Sequence, residues 1–354
     1  MAPRTAHPIP LVGQTVAELE QLMIAHGEKP FHGRQLAKWI YQRGARDFEG
    51  MTDLSKGLRA KITQGHRVGV LEVAKVERAR DETCKILFRL PDGGGIEGVL
   101  MRQDHRWSLC VSSQAGCALR CQFCVTGRLG LARQLTPGEI VDQVILAKRL
   151  LDEAHPGTEL TNLVFMGMGE PLLNLDNVTA ALGLLISPQC VAMSPRRITV
   201  STAGVTPGIR QFGQRDLGVN LALSLNATTQ ALREILMPHA KRWPLDELLE
   251  TLREFPMATR RRLTLEYVLL ADVNDSPADA RRLAKIAHGL RCKINLLPFN
   301  EAPQLAFDRP SPKAVEKFQS ILLAEGLTVS VRHSKGRSIS AACGQLAGEV
   351  RSAA

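Results

Sequence analysis

The apolar positions divide the chain at about residue 107. Between residues 15 and 64 they recur at helical spacing: Val16, Leu19 and Leu22-Met23 share one face, Phe31, Leu36 and Trp39-Ile40 a second, and Leu54, Leu58 and Ile62 a third. Gly27, Gly44 and Gly50 punctuate these stretches. A small helical module is predicted, carrying Lys29, Arg34, Lys38, Arg43, Lys56, Arg59 and Lys61. Two apolar runs then flank the turn Pro91-Asp-Gly-Gly-Gly: Cys84-Lys-Ile-Leu-Phe-Arg-Leu before it and Ile96-Glu-Gly-Val-Leu-Met after it. That pairing predicts a β-hairpin.

Beyond residue 107 the period alternates between strand and helix. Strands are expected at Leu109 to Ser112, Leu163 to Met166, Ile198 to Ser201, Leu221 to Leu225, Leu265 to Leu269 and Ile294 to Leu297, with Leu327 to Val331 as a late addition. Helices fall between them. Thr136-Pro137-Gly138-Glu139 reads as a capping box with Pro at the first helical position, opening a helix whose face is Ile140, Val144, Ala147 and Leu151. Ser276-Pro277-Ala278-Asp279 starts another in a related way. Such alternation implies a parallel sheet with crossover helices, and the chemistry is expected at the carboxyl ends of the strands. The chain is read as an α/β protein with an N-terminal helical domain at 1–80, a hairpin extension at 81–106 and the alternating domain at 107–354.

Composition narrows the class. In 354 residues, 44% are apolar, enough for a substantial core, and the net charge is +10. Basic residues cluster at Arg196-Arg197, Lys241-Arg242, Arg260-Arg261-Arg262, Arg281-Arg282 and from Arg332 to Arg337, which points to a nucleic-acid partner. The first residues, Met-Ala-Pro-Arg-Thr-Ala-His-Pro-Ile-Pro, lack the apolar core of a signal peptide, and no apolar run reaches membrane-spanning length. With eight cysteines and no export signal, a reducing, cytoplasmic setting without a membrane partner is expected.

Cys117-Ala-Leu-Arg-Cys121-Gln-Phe-Cys124 gives three thiols in CxxxCxxC spacing. Iron-sulfur cubes are normally held by four Cys, so three leave one iron open to another ligand. A structural zinc site needs a fourth ligand, and no CxxC or HxxxH pair lies nearby to supply it. The motif resembles that of the radical S-adenosylmethionine (SAM) superfamily, with Phe123 fitting its preference for an aromatic before the third cysteine. The resemblance implies a 4Fe-4S cluster on Cys117, Cys121 and Cys124, SAM on the open iron, and an open (β/α)6 partial barrel. Gly169-Glu170, within Met166-Gly-Met-Gly-Glu170-Pro171, looks like that superfamily's SAM-contacting motif. Ser201, Ser224, Leu225, Asn226 and Asn295 lie in or at the ends of later strands, and their shared placement suggests that they line the same SAM pocket.

Longer stretches are similar to the RlmN/Cfr family of adenosine methyltransferases: residues 109–117, 165–174, 198–209, Glu266-Tyr-Val-Leu-Leu, and Ala-Ala-Cys343-Gly-Gln-Leu. Similarity runs from about residue 30 to residue 348. It implies methylation of adenosine carbon 2 in large-subunit rRNA and of the adenosine 3′ of the tRNA anticodon, with carbon 8 of the rRNA base as the alternative. It also implies that Cys343 is methylated by one SAM, that a second SAM activates this methyl group for addition to the base, and that Cys110 releases the product. A Cys110–Cys343 disulfide would result, requiring a thiol reductant, and the cluster would draw electrons from a donor such as flavodoxin or ferredoxin. Glu97 matches the family's proton acceptor. Asn226 stands where relatives usually carry His, and Met101-Arg102 replaces their usual Pro.

Overall fold

A computed structural model describes residues 8–104 and 106–348. Residues 1–7, on which most of the signal-peptide expectation rests, lie outside that range.

The main sheet comprises β1 (Glu72–Arg78), β2 (Cys84–Arg89), β3 (Gly95–Gln103), β4 (Arg106–Cys110), β5 (Leu160–Phe165), β6 (Ile198–Thr202), β7 (Asn220–Ser224), β8 (Leu263–Leu269), β9 (Cys292–Pro298) and β10 (Val329–Val331). Its ten strands are ordered strictly by sequence from β1 to β10, without closure between the edges. From β1 to β4 neighbours are antiparallel, and from β4 onward they are parallel. The hairpin expectation therefore holds for β2–β3, and the alternating segment forms the open barrel. Each expected strand is present within a few residues of its anticipated bounds. The additional strand β1 escaped the pattern because it is an edge strand with no buried residue and a register shift between Val73 and Lys75.

The helices are α1 (Val16–Ala25), α2 (Phe31–Ala37), α3 (Lys56–Thr63), α4 (Val125–Leu129), α5 (Pro137–Ala154), α6 (Leu175–Ile186), α7 (Thr206–Gln214), α8 (Gln230–Leu236), α9 (Leu245–Glu254), α10 (Pro277–His288) and α11 (Pro312–Ala324). Both anticipated starts are capped: Thr136 accepts from the Glu139 N–H in a full capping box, and Ser276 accepts from the Asp279 N–H. Leu19, Met23, Leu36, Ile40, Leu58 and Ile62 of the N-terminal helices are buried in a core continuous with that beneath the sheet.

What fastens this module is one buried carboxylate. Asp142 of α5 forms an ion pair with Arg46, and its other oxygen accepts from the N–H groups of Val70 and Leu71, each at 2.7 Å. A buried carboxylate is tolerable here because both oxygens are satisfied. At the same seam a Cβ on Gly13 would sit 2.7 Å from the Gly138 Cα, so the backbones approach more closely than a side chain would allow.

Candidate active site

The cysteine loop runs between two short strands, Gln114–Gly116 and Leu131–Gln134, that pair antiparallel beside the carboxyl ends of β4 and β5. Cys124 is the N-cap of α4, and its N–H donates to the Cys121 carbonyl at 3.2 Å. A Cβ on Gly127 would stand 3.0 Å from the Cys121 N and O, so the first turn of α4 packs directly on the loop. Cys117, Cys121 and Cys124 all line one cavity of about 180 Å³. Burial raises all three thiols: Cys117 to about 12, Cys121 well above its ordinary value, and Cys124 in the same direction. Among the described residues no three His, Cys, Asp or Glu side chains gather tightly enough for a single metal ion. A multi-iron cluster asks for something else, namely thiolates spread around it, each bound to its own iron.

Gly169, Glu170, Ser201, Ser224 and Asn226 line the same cavity. Gly169 has φ +101°, and a Cβ there would lie 2.5 Å from the Gln114 Cβ. The following Glu170 is buried, and its carboxylate accepts from Ala203 N–H at 2.8 Å and Leu172 N–H at 3.1 Å. Burial nevertheless raises its pKa to about 7. Ser201 and Ser224, on adjacent strands β6 and β7, hold their hydroxyls 3.5 Å apart. Asn226 has φ 57°, a left-handed conformation that Asn adopts more readily than most other residues. Its Oδ1 accepts from the Val268 N–H at 2.9 Å, so it shapes the turn after β7 as well as facing the cavity.

Two of the expected pocket residues are not on either cavity wall. Leu225 is core, touching the site through its backbone N–H, which donates to the Glu266 carbonyl at 2.9 Å. Asn295 lies within β9, where strand alternation aims it at Glu266 and Ser330, its register neighbours on β8 and β10. The asparagine that does line the cavity is Asn300, just beyond β9, whose Nδ2 donates to the Cys343 carbonyl at 3.4 Å. Both follow apolar runs, and only the end of the strand distinguishes them.

A second cavity, of about 370 Å³, adjoins the first. Cys110 and Cys343 both line it, while Cys343, Cys124, Thr126 and Glu266 line both cavities. Cys343 is an exposed residue whose thiol lies deep among surrounding atoms, and that burial, with the nearby Glu266 charge, pushes it up to about 11. Cys110 is buried, and its pKa is raised by burial and then by Cys343. Both are free thiols. The Cys343 segment is tied to the end of the cysteine loop by the Val125 N–H donating to the Gly344 carbonyl at 2.8 Å. Arg332 and Lys335 stand at this cavity, and Met101-Arg102 lines its β3 side. Glu97 lies on the same strand but off the wall. Its carboxylate accepts from the Ala347 N–H at 2.8 Å and the Gly348 N–H at 3.3 Å, with Lys85 Nζ 3.4 Å away.

A larger groove, about 600 Å³, opens at the opposite end of the strands between Tyr41, Lys148, Arg149 and Arg197. It contains none of the residues singled out from the sequence as catalytic, SAM-contacting or cluster-binding.

Comparison with known proteins agrees with this geometry. Residues 9–68 match the ribosomal RNA large subunit methyltransferase N-terminal domain, and residues 111–284 match the radical SAM superfamily. The chain is 49% identical over 334 residues to a dual-specificity RNA methyltransferase RlmN from Anaeromyxobacter dehalogenans, covering 94% of this chain and 90% of that one. It is 47% identical over 343 residues to the RlmN of Syntrophotalea carbinolica, covering 97% and 90%. A crystal structure of a radical SAM methyltransferase from Sphaerobacter thermophilus superposes with a TM-score of 0.92 at 43% identity, covering 96% of this chain and 99% of that one. With three thiols of one loop and a Gly-Glu turn lining one cavity, Cys110 and Cys343 lining the next, and RlmN relatives matched over nearly the whole chain, the chain belongs to the RlmN family of radical SAM RNA methyltransferases.

Proposed function

We propose that this enzyme methylates carbon 2 of adenosine in large-subunit rRNA and in tRNA, using Cys343 as the carrier of the methyl group. The observation that carries the reading is the position of Cys343, which lines the cluster-loop cavity on one side and the Cys110 cavity on the other. Carbon 2 of adenine is electron-poor and cannot act as the nucleophile in ordinary displacement on a SAM methyl group.

The donor set fits a 4Fe-4S cluster: three thiols line one cavity, together with a Gly-Glu turn and two hydroxyls suited to an amino-acid ligand. Cys117, Cys121 and Cys124 would hold it, with Gly169, Glu170, Ser201, Ser224 and Asn226 around SAM, and Leu225 contributing through its backbone. Asn295 would act through Glu266. Bound there, the cluster and SAM would together supply one-electron, hydrogen-abstracting chemistry. The chain's own residues do the rest. Cys343, as thiolate, would attack the methyl carbon of one SAM and release S-adenosylhomocysteine, and the resulting S-methyl group, deprived of one hydrogen atom by the chemistry that the cluster and a second SAM would supply, would bond to carbon 2. Cys110 then attacks the Cys343 sulfur, an S–S bond forms as the carbon–sulfur bond breaks, and the released electron pair leaves a methyl group on the base after protonation. The hydrogen displaced from carbon 2 leaves as a proton, for which Glu97 is the acceptor once its bonds to Ala347 and Gly348 are exchanged, and the unpaired electron of the adduct would return to the cluster that supplied it.

A thiol reductant restores Cys110 and Cys343, and a flavodoxin- or ferredoxin-type donor feeds the cluster, consistent with a cytoplasmic enzyme. No helix among the described residues is long and apolar enough to cross a membrane. Arg332 and Lys335 would meet RNA phosphates, and the basic N-terminal helices would hold flanking RNA. The test is anaerobic reconstitution followed by incubation with SAM, reductant and unmodified rRNA or tRNA, and nucleoside mass spectrometry. Recovery of 2-methyladenosine from both RNAs is expected, and 8-methyladenosine would overturn the regiochemistry. Cys121→Ala should lose both iron and SAM cleavage.

A further inference from the structure

Arg233 is the largest fully buried side chain in the described residues, at 0% exposure in the middle of α8. Its Nη2 donates to the Ala203 carbonyl at 2.5 Å, while Nε and Nη1 are buried without any hydrogen-bond partner. No ion pair among the described residues includes it. A buried guanidinium with two empty donors and no carboxylate is costly, and folds retain one where a counter-charge belongs. The surroundings identify that counter-charge. Ala203, which takes the Arg233 hydrogen bond, donates its own N–H to Glu170, and the Leu236 carbonyl at the end of α8 accepts the Gln122 N–H at 2.9 Å. The helix bearing Arg233 is thus stitched to both halves of the cluster cavity.

We infer that Arg233 is the fixed counter-cation of the cluster site, a positioning residue that offsets the negative charge of the Cys117, Cys121 and Cys124 thiolates and favours the reduced state of the iron-sulfur core they hold. This rests on those thiols binding the cluster. Among the charges acting on Arg233 the one that supports its protonated form is Cys121, and the guanidinium stays charged at neutral pH although burial lowers its pKa to about 10. The neighbouring His239 shares the Ala203 carbonyl at 3.0 Å, and burial holds it neutral, its pKa lowered to about 4. Arg233 is therefore the cation of this pair. Adding an electron to the cluster adds negative charge in a low-dielectric site, where an adjacent cation matters more than in water.

The experiment compares wild type, Arg233→Lys and Arg233→Met after anaerobic reconstitution with iron and sulfide, reading metal content, circular dichroism and the cluster midpoint potential by redox titration. Arg233→Met is expected to disfavour one-electron reduction about tenfold, a potential about 59 mV more negative, with Arg233→Lys restoring most of it. Loss of cluster from folded Arg233→Met, with retention in Arg233→Lys, would equally support the charge role. A potential and iron content in Arg233→Met equal to wild type would overturn it. So would equal impairment of both variants, which would make the side chain's shape the determinant. Wild type that takes up no iron would instead refute the cluster reading itself.

Discussion

Asn295 donates from Nδ2 to Glu266 Oε1 at 2.8 Å while its Oδ1 accepts from the Ser330 hydroxyl at 2.7 Å. The three residues are direct register partners on β8, β9 and β10, so the bonds run across the sheet as a ladder ending at Glu266 on the wall between the two cavities. Burial raises the Glu266 pKa above its ordinary 4.5, opposed by the Asn295 hydrogen bond and the Arg332 charge. The folded protein therefore holds this proton to higher pH than the unfolded chain. Its contribution to stability is full below about 4.5 and declines as pH rises through the folded value. Glu266→Gln keeps an acceptor for Asn295 and removes the titration, so its stability relative to wild type should improve between pH 5 and pH 8. Thermal melts across that range test this, and a constant difference would refute it.

Cys110→Ala should leave addition to RNA intact and block release, so RNA accumulates covalently on Cys343 after a single turnover. Denaturing gels and mass spectrometry of the peptide containing Cys343 would reveal the adduct. Its absence under reducing turnover conditions would remove Cys110 from its proposed role.

Gly169→Ala forces a non-glycine residue to φ +101° and drives a methyl group to within 2.5 Å of the Gln114 Cβ. Backbone strain and overpacking together should cost about 2 kcal/mol or more, lowering the melting temperature by about 3 °C or more. SAM binding, measured calorimetrically, should fall with it.

Arg332→Ala and Lys335→Ala should each weaken RNA binding and flatten its dependence on log salt by about 0.7–0.9. Unchanged slopes would place the RNA elsewhere on the basic surface.

The parallel strands and their helices were legible because buried strands write uninterrupted apolar runs and helix starts write caps, as at Thr136 and Ser276. The cysteine loop was legible because its spacing is local. What the sequence could not distinguish was which asparagine in Ile294-Asn-Leu-Leu-Pro-Phe-Asn300 faces the cavity, since that depends on where β9 stops and which way its pleat points. Glu266 was hidden for the same reason, as an acidic residue inside an apolar strand. Arg233 gave no signal at all, because a basic residue in a short helix ordinarily reads as solvent-facing.

The strictly sequential strand order also bears on how the molecule comes into being. Each strand finds its neighbour already made by the chain before it, so the sheet can grow in the direction of synthesis with few long-range searches. The cradle of Cys117, Cys121 and Cys124 belongs to the early part of that growth, whereas Cys343 follows β10 and docks on α4 last, through Gly344. A nascent chain would thus assemble the three-thiol cavity before the thiol that completes its lining, leaving an interval in which that cavity still has an open side.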